Sequence, residues 1–330
     1  MPSHSACSIS SATAEEPLWG TANDAVRRWL LVEHHERWGG KVPRDTDGLS
    51  EALRTLLGNP GGVMGEGTRV QFIRRPMASS SASRRVFIVE PGRDGARILT
   101  REVSALDSLL EEGWAAKDIE RRWEVAAAGD GAWRLCTRQL LLVCTHGARD
   151  ACCARHGVGL YLALEEAKDR SAMAGVVGVA GCDLPDVWQT SHLGGHRFAA
   201  VALSLPDAHV YGRVQPKDAT ALLAGVATGR LFSLEHVRGS SRQHPSAQVA
   251  ELCVRRMLEQ RDFGAVEASS AELSSTGATV RVAAGEDNYE VELVRRGRPL
   301  RVLASCGDEL TKEFRPYELR DIRQLARAGG

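Results

Sequence analysis

The sequence reads as an α/β protein because of three stretches in its middle third. Gln139 to Cys144, QLLLVC, is an almost unbroken apolar run, the pattern of a strand buried on both faces. From Asp150 the apolar residues recur at helical spacing along VGLYLALEEAKDR, with Leu160, Leu162, Ala163 and Ala167 among them. Further on, FAAVALSLP and AHVYGRV flank Pro206-Asp207, a turn dipeptide, as two strands. Val187 to Thr190 adds a short strand before them, and Pro216 to Val226 adds a helix with proline in its first turn. Strand, helix, strand, hairpin and helix is the order of a thioredoxin-type unit, which we place at 125–235.

Residues 1–20 are rich in Ser and Ala and read as a weakly ordered, flexible lead. An N-terminal α/β region then spans 21–124. In it, Ala22 to Arg28 reads as a helix running into the buried strand Trp29 to Val32. Ser50 to Leu57 reads as an amphipathic helix capped by Ser50. VQFIRRP and RVFIVEP read as strands around the loop MASSSASR, and Ser104 to Glu112 as a helix capped by Ser104. Beyond 235, RGSSRQHP is loop-like and Ser246 to Gln260 is helical. TVRVAAG, NYEVELVRR and PLRVLASC follow as strands of a small α+β region, 236–330. No repeat of fixed period occurs, which argues against solenoids and propellers.

Lys plus Arg and Asp plus Glu stand at 42 each, so no overall field attracts nucleic acid or an anionic membrane. The cluster Arg295, Arg296, Arg298 and Arg301 reads as a solvated strand edge. The N-terminus lacks the basic start and apolar core of a secretory signal. No run of about 18 apolar residues is present to span a membrane. We therefore expect a cytoplasmic protein whose eight cysteines are thiols or ligands rather than disulfides.

Chemistry concentrates in two places. CTHGARDACCA puts Cys144 at the end of the buried strand, with Cys152 and Cys153 eight and nine positions later. SHLGGHRF, Ser191 to Phe198, sets His192 and His196 four apart around Leu193, Gly194 and Gly195. Four readings compete. The thiols can be small core residues and the histidines surface groups, the reading that suits Cys7, Cys136, Cys182, Cys253 and Cys306. Two cysteines and two histidines can hold zinc, although zinc knuckles bring cysteines two to four residues apart. Cys152-Cys153 can act as a vicinal redox pair. Last, an iron–sulfur cluster tolerates widely spaced ligands, accepts imidazole on one iron, and takes backbone N–H bonds that glycines permit.

CTHGARDACC, SHLGGHRFA and VYGRV together resemble the sucrase/ferredoxin-like family, as do EEPLWGTA, WLLVEHH and RGSS followed by AQVAELCVRR. The resemblance covers most of the chain. It implies a thioredoxin-like ferredoxin core with an N-terminal α/β extension and a small C-terminal α+β region. It implies a [2Fe-2S] cluster held by Cys144, Cys153, His192 and His196, with Cys152 as the alternative to Cys153. Gly194 and Gly195 would approach the cluster. No paired carboxylates support sugar hydrolysis despite the family's name.

Such a centre would transfer one electron to or from an unidentified partner protein, an electron carrier rather than an enzyme on a small substrate. Two neutral imidazoles in place of thiolates raise the expected potential above that of an all-cysteine cluster. The potential should also fall as pH rises, where a flat trace from about pH 6 to 10 would count against it. His146 reads as a hydrogen-bonding neighbour or spare ligand, and Arg149 with Asp150 as a loop-ordering pair, Asp150 capping the next helix. Arg197, Tyr211 and Arg213 are expected beside the site, with Glu165, Glu166 and Lys168 on a solvated helix face.

Overall fold

A computed structural model describes residues 7–75, 83–92, 96–173, 183–306 and 311–326. Cys182 and most of the MASSSASR loop lie outside them. The lead expected to be weakly ordered carries a helix, α1 (Cys7–Thr13), in which Cys7 and Ser11 are buried. Next come β1 (Arg28–Glu33), α2 (Glu51–Gly58), α3 (Pro60–Met64), β2 (Thr68–Arg74), β3 (Arg84–Glu90), β4 (Arg97–Val103), α4 (Ala116–Ala127) and β5 (Arg134–Leu135). The expected core follows as β6 (Leu140–Cys144), α5 (Ala151–Met173), β7 (Asp186–Thr190), β8 (Ala202–Leu205), β9 (His209–Tyr211), α6 (Ala219–Ala227) and β10 (Val237–Ser240). The chain ends with α7 (Pro245–Met257), β11 (Val266–Leu273), β12 (Gly277–Ala284), β13 (Asp287–Arg295), β14 (Leu300–Leu303), β15 (Thr311–Phe314) and β16 (Tyr317–Gln324).

Ten strands form one mixed sheet in the order β10-β9-β8-β6-β7-β2-β1-β3-β4-β5. It runs unbroken through residues of both 21–124 and 125–235. Within it β6 pairs parallel with β7, while β8 and β9 add antiparallel, the thioredoxin-like arrangement. The other half repeats that plan: β1 pairs parallel with β2, and β3, β4 and β5 add antiparallel. The two five-stranded units meet where β2 and β7 pair antiparallel through Ile73↔Thr190 and Arg74↔Gln189. Their strands therefore meet by the C-terminal ends, where α/β folds carry their functional loops.

Alternation along the strands builds two layers. Leu30 and Val32 face a core under α2 and α4, and Leu141 and Val143 a core under α5 and α6. Trp29, Leu31, Leu140 and Leu142 face a third core shared by both units, which Leu18, Ala22 and Val26 help to close. A four-stranded antiparallel sheet, β11-β12-β13-β16, packs its Val280, Val282 and Val291 against Val249, Ala250 and Val254 of α7.

Three expected helices differ. Ala22 to Arg27 form no helix, because Val26 N–H donates to Ser241 and Arg27 N–H to Gly67, bonds to other segments. Ser104 to Glu112 shortens to a 3-10 turn, Leu106–Glu111, preceded by Ala105 rather than capped by Ser104. At its end the Leu109 carbonyl accepts from both Glu112 N–H and the Trp114 indole, which closes the turn there. The helix at Pro216 opens as a 3-10 turn before α6. Ser50 caps α2 as expected, accepting from Leu53 N–H.

Candidate metal centre

Cys144 closes β6 and is 1% exposed. After the turn 145–150, Cys153 sits in the first turn of α5, and β7 leads through Ser191 to His192. One donor atom from each of Cys144, Cys153 and His192 lies within 4.8 Å of the others, and Cys153 Sγ is 3.7 Å from His192 Nδ1. Cys153 faces this group and its neighbour Cys152 does not. A hydrogen bond from Cys153, against the effect of burial, holds the Cys144 thiol well below its ordinary range, with His192 adding to it. That same contact, with burial, pushes Cys153 upward.

His196 stands apart from these three. Its ring centroid is 5.6 Å from that of His192, but Nδ1 faces Asp150 Oδ2 at 3.0 Å and Cys7 Sγ at 3.2 Å. Burial lowers its pKa, outweighing the pull of Asp150. Asp150 itself is held at about 2: burial would raise it, but Ser305 and the N–H groups of Cys306 and Cys152 outweigh burial. A permanent carboxylate acceptor at Nδ1 leaves the lone pair of a neutral His196 on Nε2. The Cys152 N–H bond to Oδ1 is the expected helix cap. The expected partnership of Arg149 with Asp150 is not seen; the ring that faces Asp150 Oδ2 is His196, through Nδ1 at 3.0 Å.

The histidine loop is braced on every side. Gly194 and Gly195 have φ of 84° and 72°, where a side chain is strained. A Cβ on Gly194 would come 2.9 Å from Asn23 Oδ1, and one on Gly195 2.4 Å from Arg238 Nη2. The glycines thus admit two protein side chains, a reason the sequence did not suggest. Asn23 donates to Leu193 O at 2.6 Å and Arg238 to Gly194 O at 2.9 Å. Arg238 is 2% exposed; burial pulls its guanidinium down to about 9, Arg197 adding and Glu16, Cys144 and Cys153 opposing. From β2, Phe72 N–H donates to Ser191 Oγ, which donates to Gln71 Oε1 at 2.7 Å.

His146 is occupied at both nitrogens. Nε2 lies 2.8 Å from Gly39 O and Nδ1 accepts from His192 N–H at 3.2 Å, so it positions the histidine loop and has no nitrogen to spare. Arg197 pairs with Glu16 at 2.7 Å, and Arg213 donates to Ser11 Oγ and Glu16 O. Tyr211 is packed in the core under α5 and α6. Lys168 meets Glu165 at 3.7 Å on the solvated helix face. Arg238 and Asn23 carry no distinct signal in the sequence: Arg238 stands in HVRGSSR among polar residues and Asn23 in a short polar stretch.

The family described as sucrase/ferredoxin-like matches over residues 18–239. No curated protein matches the sequence. Among solved structures, the thioredoxin-like [2Fe-2S] ferredoxin from Aquifex aeolicus is 16% identical, with 26% of this chain and 77% of that one covered and a TM-score of 0.21. Two cysteine-to-serine variants of that ferredoxin are 17% identical, with 26% and 81% covered and the same TM-score.

Proposed function

The chain belongs to the sucrase/ferredoxin-like family, and from that premise we propose that it is a one-electron redox protein holding a [2Fe-2S] cluster. The observation that carries this reading is the convergence of Cys144, Cys153 and His192 within 4.8 Å at the functional ends of β6 and β7. Two thiols and an imidazole suit iron, and a cluster of two irons spreads its ligands further than one ion does. His196, one ring away, supplies the fourth donor through Nε2. When bound, the cluster accepts and returns one electron.

This chain's residues do the rest. Burial of Cys144 and Cys153 keeps water from the sulfurs, and His146 fixes His192 by its main chain. Arg238 sets a buried positive charge near both thiolates, which offsets negative charge and favours the reduced form. The amides of Gly194 and Gly195 have no acceptor among the described residues and are available to sulfide. An unidentified redox protein is the expected partner.

The test is ligand exchange. His192→Cys and His196→Cys should each keep two irons per chain while shifting the visible spectrum and lowering the potential. If His196→Cys leaves both unchanged, His196 is not a ligand.

A further inference from the structure

A second group of donors lies beside this centre and shares no side chain with it. Cys7, Asp150, Cys152 and Cys306 each offer one donor atom, all within 4.8 Å of one another. We propose that these three thiols and Asp150 hold a single zinc ion.

The sulfurs meet pairwise, at 3.5 Å for Cys7 and Cys152, 3.4 Å for Cys7 and Cys306, and 3.0 Å for Cys152 and Cys306. Those separations are well beyond a sulfur–sulfur bond of about 2.05 Å. Three sulfurs are also an odd number, so any disulfide would strand one thiol. They come from three remote places: α1, the first turn of α5, and the turn after β14. Cys7 and Cys152 are 0% and 1% exposed. Small apolar residues would fill such a corner without bringing a carboxylate into it. Here Asp150 accepts from the N–H of Cys152 at 2.9 Å and of Cys306 at 3.0 Å, and from Ser305 Oγ at 2.7 Å. One carboxylate thus fixes the backbone of two of the thiols and stands as the fourth donor. Three thiolates and one oxygen make the closed tetrahedral set of a structural zinc site. Each thiol releases its proton to solvent as its S–Zn bond forms, and no electron moves.

The ion fastens α1 and the β14 turn against the start of α5. Cys152 adjoins Cys153 in sequence, and His196 Nδ1 is 3.2 Å from Cys7 Sγ, so this site forms a wall of the first centre. The inference does not rest on the cluster reading, and separate iron and zinc counts keep the two apart.

The experiment is metal analysis and zinc-edge X-ray absorption on the full chain, purified without chelators from zinc-supplemented cells. The expected result is one zinc per chain, with three sulfurs at about 2.3 Å and one lighter atom at about 2.0–2.2 Å. Cys306→Ser should lower bound zinc roughly tenfold or more and leave iron unchanged. Absence of zinc overturns the proposal, as does zinc with two sulfurs and two nitrogens, or a Cys152–Cys306 disulfide in unreduced peptide maps. Should Cys306→Ser not fold, the absorption spectrum of the unaltered chain decides alone.

Discussion

The two units of the large sheet share strand order and strand sense, yet they end their first strands differently. The second unit closes β6 on Cys144 and follows with cysteines in α5 and histidines after β7. The first unit closes β1 on Glu33, follows it with His34, and spends both on structure. His34 Nε2 lies 2.8 Å from Asp47 O, and Glu33 accepts from Arg85 N–H at 2.8 Å. One topology thus serves twice, once with soft donors at the strand ends and once as a brace, for Gln71 and Phe72 of the first unit hold the histidine loop of the second. The fold supplies a place for chemistry, and side chains decide whether any occurs.

Substitutions at corresponding strand ends test that contrast most severely. Cys144→Ser should abolish iron binding, whereas His34→Gln should leave iron per folded chain unchanged. Iron analysis of the two variants checks this, and equal losses would remove the distinction between the units.

Arg238 is the next probe. Arg238→Met strands the carbonyls of Gly194 and Thr21, at about 2–4 kcal/mol of stability. It also deletes a buried positive charge, so the midpoint potential should fall. Denaturant titration and potentiometry read the two effects separately; a potential that rises instead would contradict the role given to Arg238.

Acid should act on the second unit and α7 ahead of the first unit. Glu251 is held at about 2: burial would raise it, but Arg255, at 2.8 Å, and His209 outweigh burial. Asp150 sits at a similar value. Folded pKa values below the unfolded ones mean stability that is present above about pH 4 and lost as pH falls toward 2. For Glu251 the loss is of the order of 2–3 kcal/mol. Urea midpoints between about pH 5 and 3 should fall less steeply in Glu251→Gln; an unchanged slope would reject the assignment.

The smallest effect compares two glycines. Gly195→Ala meets both a positive φ and Arg238, whereas Gly129, at φ 81° after α4, has open space around it. We expect losses of about 2–3 kcal/mol and about 1 kcal/mol respectively. Thermal unfolding distinguishes them, and equal losses would mean that Arg238 yields freely.

The second unit was legible because each element carries a local signal: an unbroken apolar strand, a long apolar-periodic helix, a Pro-Asp hairpin and paired ligand motifs. The doubling of the unit was not legible, since it repeats strand order without repeating residues. α4 left a readable trace, Ile119, Trp123 and Ala126 at helical spacing, but in a heavily charged segment. Ala22 to Arg28 misled because helical composition lost to backbone bonds with distant partners; Ala25 sits at φ 53° and Arg28 already opens β1. Cys7 and Cys306 were read as core thiols. Nothing local could bring them to Cys152, as they lie 145 and 154 residues from it.

The central claim is settled by counting iron and acid-labile sulfide in anaerobically purified protein and recording the EPR spectrum after reduction. The account predicts two irons and two sulfides per chain, with a spin-one-half signal that disappears on reoxidation. Colourless protein with no iron, or with zinc bound by two sulfurs and two nitrogens, would contradict it.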